Sequence, residues 1–464
     1  MALLRAVAAS GTSLQGQIEQ AFDAKDITTP EMQAAIEMWF DLYYLKERTK
    51  KQDPSQRIPF AVVNKISRAT FSEFNFDHSV EFVKSTLNSL EVVRKRAMQQ
   101  TLIGGECLIK PVFNSGNIGF SVIARRNYRV FGRKTTGEVT DVGTMESTSA
   151  NGYFYRLLER RTVDDGGYLT IVSKLYRSQS DSSLGTNVPL STLPKYAELE
   201  ETITFQKPVD SVGLIYVKTP MENCVDDSAD GISIYEPAVG LIQLININEA
   251  QINGEFERGE SRIVVSGDMM QVDESGERRF KDSIFVGLPD DPDSIGVTIF
   301  SPAFREQSFL ARKTEYLRNV ESLIGLKRGI LSEVEAAERT ATEVTSSAGD
   351  YNLTLIDFQE MWKAAMLEAV RLCGVLGAIY QVAKATNVEE DDMKISFGNG
   401  ILYDEDKEWA QYKEMVAMGL IKREIAIAWR FDLPFPKTEA ELMMIRQEYM
   451  PQIEDLTDVD PGAD

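Results

Sequence analysis

The side chains that carry most protein chemistry are scarce or scattered along this sequence. There is one histidine, His78, within FNFDHSV. The three cysteines, Cys107, Cys224 and Cys373, stand far apart and none belongs to a CxxC pair. That pattern offers no zinc site. It fits reduced thiols better than a disulfide framework. Three adjacent carboxylate pairs, Asp226-Asp227, Asp290-Asp291 and Asp391-Asp392, have the donor type for a cation. Adjacent carboxylates in turns are ordinarily solvated loop residues. Phosphate-cradling glycine loops, HExxH and GxSxG are all absent. The residues therefore point to no catalytic group, no metal and no cofactor, and the informative content lies in the elements.

Composition narrows the partners. The 464-residue chain has 50 basic and 71 acidic side chains, a net charge of −21. That balance speaks against a broad basic surface for gripping nucleic acid. A surface that surrounds nucleic acid without holding it is not. The start, MALLRAVAASGTSLQ, has a short apolar run broken by Arg5 and reads as an arm rather than a signal peptide. The most apolar helical run, from Met361 to Ala383, contains Lys363, Glu368 and Arg371. It reads as a buried helix, not a membrane span.

Residues 28–48 open with a helix start: Thr29 to cap, Pro30 for the first turn, Glu31 for the positive end. Further helices are expected at 59–74 and 79–101, closed by Gly104-Gly105. From Glu106 to about Val217 the chain turns β-rich. The clearest hairpin there joins Tyr153 to Arg177 through Asp164-Asp165-Gly166-Gly167. The acidic turn NCVDDSADG, 223–231, reads as a boundary. Beyond it, Ile234, Ala238, Leu241, Ile245, Ile252 and Phe256 form one stripe on a helix spanning 231–260. Residues 261–300 look compact and β-containing. A second long helix follows from Ala303 to about Leu331. It carries two heptad rows, Phe309, Tyr316, Leu323, Ile330 and Leu310, Leu317, Ile324, Leu331. SEVEAAER then reads as a loop, and TATE as a capping box for a new helix at Thr340. That helix either stops at Gly349 or runs through it.

Two striped helices around a small β-rich insert allow two arrangements. They form a hairpin inside one chain, or their stripes pack between subunits of a ring. Residues 231–260 carry five acids and one base, and residues 303–331 six bases and three acids. Opposite nets of this kind suit lateral pairing.

In order along the chain come MQAAIEMWFDLYY, TLIGGECLIKPVF, GYFYRLLERRTVDDGGYLTIVSKLYRS, SSLGTNVPLS, the segment DGISIYEPAVGLIQLININEAQINGEFERGESRIVV, TATEV and ILYDEDKEWAQYKEMVAMGLIKREIAI. With these the chain resembles the portal proteins of tailed bacteriophages, in particular those of siphophages of Gram-positive bacteria, over nearly all of 28–450. The resemblance implies an α+β, ring-forming portal fold. Its parts would be an N-terminal arm (1–27), a mixed α/β wing (28–230), a two-helix stem (231–260 and 302–331) and a small β-containing clip (261–301). A tunnel loop (332–340), a long helix of wing or crown (341–386), crown helices (387–450) and an acidic tail (451–464) would follow. It implies a dodecamer at one capsid vertex through which double-stranded DNA is packaged and ejected. Terminase, a head–tail adaptor, and the major capsid and scaffold proteins would be partners; no membrane is involved. Such proteins are not ATPases, since the terminase supplies that activity. The protein would sit in the virion after assembly in the host cytoplasm. The other readings are a different structural ring of the virion, such as an adaptor or capsid protein, and a metal- or nucleotide-dependent enzyme.

Laid on these positions, the resemblance makes Glu333, Glu335, Glu338, Arg339 and Thr340 the residues nearest DNA. Leu241, Ile245, Ile252, Phe309, Tyr316, Leu317, Leu323 and Ile324 become the stem interface between protomers. Asp273, Glu274, Arg278 and Arg279 become the clip charges. The basic residues Arg312, Lys313, Arg318, Lys327 and Arg328 either pair with acids of the neighbouring helix or face DNA.

Overall fold

Helix α1 (Gly16–Phe22) leads into α2 (Pro30–Tyr44), which starts where Thr29 and Pro30 direct. The Thr29 side chain accepts from the Met32 N–H, satisfying a donor that the first turn cannot. Met32, Ala35, Ile36, Trp39 and Phe40 then fall on one face and are buried. In this computed structural model the described residues are 16–45, 54–78, 80–114, 117–258, 262–264, 270–272, 278–280, 298–300, 305–332, 341–380, 394–397, 405–431, 436 and 438–449. They form two compact units, divided after Gly398.

In the first unit, α3 (Ile58–Thr70) and strand β1 (Asn75–Asp77) precede α4 (Glu81–Gly104). The 24 residues of α4 rise about 36 Å. Gly105 ends it with φ +80°, a conformation that costs glycine little. A Cβ there would also lie 2.2 Å from the carbonyl oxygen of Gly231, so two backbones meet at this point. Next come β2 (Glu106–Asn114), β3 (Asn117–Ala124), β4 (Tyr128–Arg133), β5 (Val139–Ala150), β6 (Tyr153–Val163) and β7 (Leu169–Ser178). The short strands β8 (Thr186–Val188), β9 (Thr202–Thr204) and β10 (Ile215–Lys218) complete the region. They make an antiparallel three-stranded sheet, β10-β2-β3, and a second sheet in the order β4-β5-β6-β7-β8, with β9 also on β7.

The β6–β7 hairpin is registered from Phe154↔Ser178 to Val163↔Leu169. Its turn is held by Asp164, whose Oδ1 accepts from the N–H groups of Gly166 and Tyr168. β7 alternates buried and half-buried residues, whereas the middle of β6 is buried on both faces. Buried charges on β6 are therefore paired. Lys110 lies 2.6 Å from both Glu146 and Glu159, and Arg161 is 3.5 Å from Glu159.

Helix α5 (Val239–Arg258) follows a short 3-10 turn at Glu236–Ala238. The helix expected from residue 231 thus begins later, at Val239, after non-helical residues 231–235 and the tighter turn around Pro237, and its 20 residues rise about 30 Å. Four short strands, β11 (Arg262–Val264), β12 (Met270–Val272), β13 (Arg278–Phe280) and β14 (Thr298–Phe300), occupy the insert. β11 pairs with β14 and β12 with β13, each antiparallel. Helix α6 (Glu306–Ile324) also stops short of the expected Leu331. Gly325, at φ +74°, turns the chain out of the helix, and Ile330 and Leu331 pack on the same core from the loop beyond. Helix α7 (Ala341–Ile379) is continuous for 39 residues, roughly 58 Å, so it runs through Gly349. β15 (Lys394–Ser396) pairs with β1.

Two cores organise this unit. The first joins α2 and α3 to Ile242 and Ile245 of α5, Val320 and Ile324 of α6, and Phe358 of α7. The second packs α4 and the sheets against Trp362, Met366 and Leu372 of α7. The second unit contains α8 (Glu405–Ala417), α9 (Arg423–Arg430) and α10 (Glu439–Tyr449). Trp429 stacks on Trp409 and Tyr412. Thr438 and Glu441 form a capping box for α10, with each side chain accepting from the other's backbone N–H. No helix among the described residues is long and apolar enough to cross a membrane.

Candidate functional site

The acidic turn before α5 is pinned to the body of the first unit. Asp226 accepts from the Thr29 hydroxyl, from Asn223 at 2.7 Å and from the Ser228 N–H at 3.1 Å. Its oxygens therefore serve the turn and the α2 cap. Among the described residues, no three His, Cys, Asp or Glu side chains gather to hold a metal. Asp290-Asp291 and Asp391-Asp392 lie outside the described residues.

Behind that turn is a buried charge network. Glu106 is fully buried and pairs with Arg125 Nε at 2.8 Å. It also accepts from Tyr128 Oη at 2.8 Å, from Tyr216 Oη and from the Gly231 N–H at 3.0 Å. Asp230 pairs with Arg133 at 2.6 Å. Burial pushes the Glu106 carboxyl up, but Arg125, Arg133, the Tyr216 hydroxyl and the Gly231 N–H outweigh it and hold the group below its usual value. Asp230 moves the other way: burial and the neighbouring Glu106 charge raise it, and the two arginines only partly offset them. The network spans β2, β4 and the residues just before α5, so it fixes where α5 begins.

α5 and α6 lie side by side. Lys313 pairs with Glu249 at 2.8 Å, and Arg305 Nε donates to Glu255 at 3.0 Å. Asn248 Nδ2 donates to the Phe309 carbonyl at 3.2 Å. The opposite charges of the two segments thus meet, at these positions, inside one chain. Arg312 lies 4.4 Å from the Tyr316 ring centroid, and Arg318, Lys327 and Arg328 have no ion pair among the described residues.

The residues expected at a subunit interface divide into two groups. Ile245, Ile252 and Ile324 are buried within the chain itself, and Leu241, Tyr316 and Leu317 are half-buried against the same core. Phe309 borders a shallow depression with Ile252, Glu255, Phe256 and Glu306. Only Leu323, at 50% exposure, stands open. Most of the periodic stripe marks the helix's own core, since that is the wider apolar face. Leu244 and Ile247 on α5 also stand open, as do Phe256 of the α5 stripe and Leu310 of an α6 heptad row. Sequence reasoning passed over Leu244 and Ile247 because they lie off the stripe; both are large aliphatics at otherwise polar positions.

Glu333, Glu335, Glu338, Arg339 and Thr340 lie outside the described residues, as do Asp273 and Glu274. Arg278 and Arg279 are on β13, in register with Val272 and Gln271. The loop that leads to residue 333 is described, and Glu321 organises it: its buried carboxylate accepts from the N–H groups of Gly329 at 3.2 Å and Ser332 at 2.8 Å.

A family model described as "Phage portal protein, SPP1 Gp6-like" matches residues 124–449. No curated protein matches the chain. Among solved structures, the chain is similar to one described as "Neck of empty GTA particle computed with C6 symmetry". The TM-score is 0.50 at 13% identity, over 92% of this chain and 100% of that one. A second, "Neck of native GTA particle computed with C12 symmetry", gives a TM-score of 0.47 at 11% identity, over 90% and 99%. At 13% identity the first likeness is one of fold. The family match covers well over half of the sequence and takes in both paired helices, the insert between them and α7. The chain belongs to the SPP1 Gp6-like family of phage portal proteins.

Proposed function

We propose that the protein assembles as a closed ring, a dodecamer in the virion, at one capsid vertex. Through it double-stranded DNA is packaged and later ejected. In this reading residues 28–230 are the wing, and 231–260 with 302–331 are the stem. Residues 261–301 are the clip, facing the head–tail adaptor, the terminase or both in turn. Residues 332–340 are the loop nearest DNA, and the C-terminal helices are the crown; major capsid and scaffold proteins are further partners. The role is structural, and the separate terminase supplies the ATP hydrolysis.

The observation that carries the reading is the family match, which spans the paired α5 and α6 with the small β insert between them. The charge agrees. Duplex DNA carries one charge per about 1.7 Å of axis, and a basic lining would bind it tightly by counterion release. A mostly acidic or neutral lining would keep the duplex mobile, and the net charge of −21 fits that reading. Alanine at Glu333, Glu335, Glu338 and Arg339 together tests the assignment of the loop. Rings should still form while DNA packaging falls; packaging at the parental level would remove 332–340 from the channel. An adaptor ring that never guides DNA would give the same null result.

A further inference from the structure

Glu321 breaks a local rule. It sits in the last turn of α6, where the helix dipole disfavours a negative side chain, and it is fully buried. Among the described residues no cation pairs with it. Its partners are instead the backbone just ahead. One carboxylate oxygen accepts from the N–H groups of Gly329 at 3.2 Å, Leu331 at 2.5 Å and Ser332 at 2.8 Å. The other accepts from Gly329 at 3.2 Å and from the Ser332 hydroxyl at 2.8 Å. Gly329 has φ +92°, which lets the chain curl back around the carboxylate. From the far side, Lys65 Nζ of α3 donates to the Ile330 carbonyl at 2.8 Å. The four-residue run Gly329–Ser332 is thereby clamped from two elements immediately before residue 333.

We infer that Glu321 is the positioning residue of the channel loop: it fixes the point and direction from which the chain leaves the core at Ser332. This rests on the reading that residues 332–340 face DNA. A carboxylate accepting several N–H donors is a strong acceptor. An amide in its place offers one acceptor oxygen and turns an NH2 toward those donors. Glu321 touches no DNA in this account. Its effect on transport runs through the root of the loop.

The test uses the full-length ring with Glu321→Gln and Glu321→Ala. Two milder variants, Ser332→Ala and Lys65→Met, each remove one tie and leave the carboxylate in place. The amides of Gly329, Leu331 and Ser332 should exchange with solvent roughly tenfold faster or more in the Glu321 variants, the change expected for a lost strong hydrogen bond. Exchange in α5 should be unchanged. Ring mass should also be unchanged, while the length of DNA packaged per particle falls, in graded order, across all four variants. The inference is overturned if the Glu321 variants package like the parent while substitutions at Glu335 and Arg339 stop packaging; the loop assignment would then survive. It is also overturned if the packaging loss simply follows each variant's melting temperature, which is what a purely structural role predicts. If the Glu335 and Arg339 substitutions have no effect, the loop assignment falls and the inference falls with it.

Discussion

Glu106 and its neighbours decide how the first unit responds to acid. Its folded carboxyl titrates below the usual value, so the unfolded chain binds that proton first as pH falls. The stability it contributes is complete above the ordinary glutamate range and is lost as pH drops through the folded value. Glu159, held low by Arg161 and Lys110 against its burial, has the same sign. Asp230 has the opposite sign, because its raised value makes the ionised form unfavourable as pH rises through it. Glu106→Gln should therefore flatten the acid limb of a stability–pH curve, and Asp230→Asn should not. Leaving Arg125 without Glu106 should cost about 3–5 kcal/mol at neutral pH, read by denaturant titration. The thiols separate just as clearly. Burial pushes Cys107 and Cys373 up to about 12, whereas Cys224 is exposed. Native protein should take up one equivalent of a thiol reagent at neutral pH, at Cys224 by peptide mapping, and all three after denaturation.

The paired helices make a sharper prediction, because α5 has two apolar faces. Ile245 is sealed in the core, so Ile245→Asp should unfold the first unit, a loss above about 4 kcal/mol. Ile247 is 53% exposed. Ile247→Asp should leave the isolated chain folded, within about 0.5 kcal/mol, yet stop ring closure by light scattering. Rings that still close after Ile247→Asp would mean that the open face has no partner. Elements with local signals could be read from the sequence: the Thr29-Pro30 start of α2, the Asp164–Gly167 turn and the glycine that ends α4. Their causes lie within a few residues. Helix lengths were harder to read, since apolar spacing continued past the true ends. Ile330 and Leu331 extend the heptad rows, but from a loop packed on the same core. The network of Glu106, Arg125, Arg133 and Asp230 could not be read at all. Its members come from separate segments and meet only in the folded chain. The Glu321 ties left no trace either, because backbone N–H groups carry no residue signature.

For the whole molecule, acidity, the paired helices and the family assignment lead to one mechanism. In the proposed function, DNA passes through a ring that guides it and does not grip it. Changing surface acids to lysine on the lining should slow transit and make packaging more sensitive to salt. Leu244, Ile247 and Leu323 are open apolar residues on α5 and α6, and we propose that neighbouring protomers cover them. The most direct measurement is electron microscopy of the purified full-length protein, paired with native mass. The account predicts closed rings with a central hole wide enough for duplex DNA. A compact single chain that persists at high concentration would contradict it.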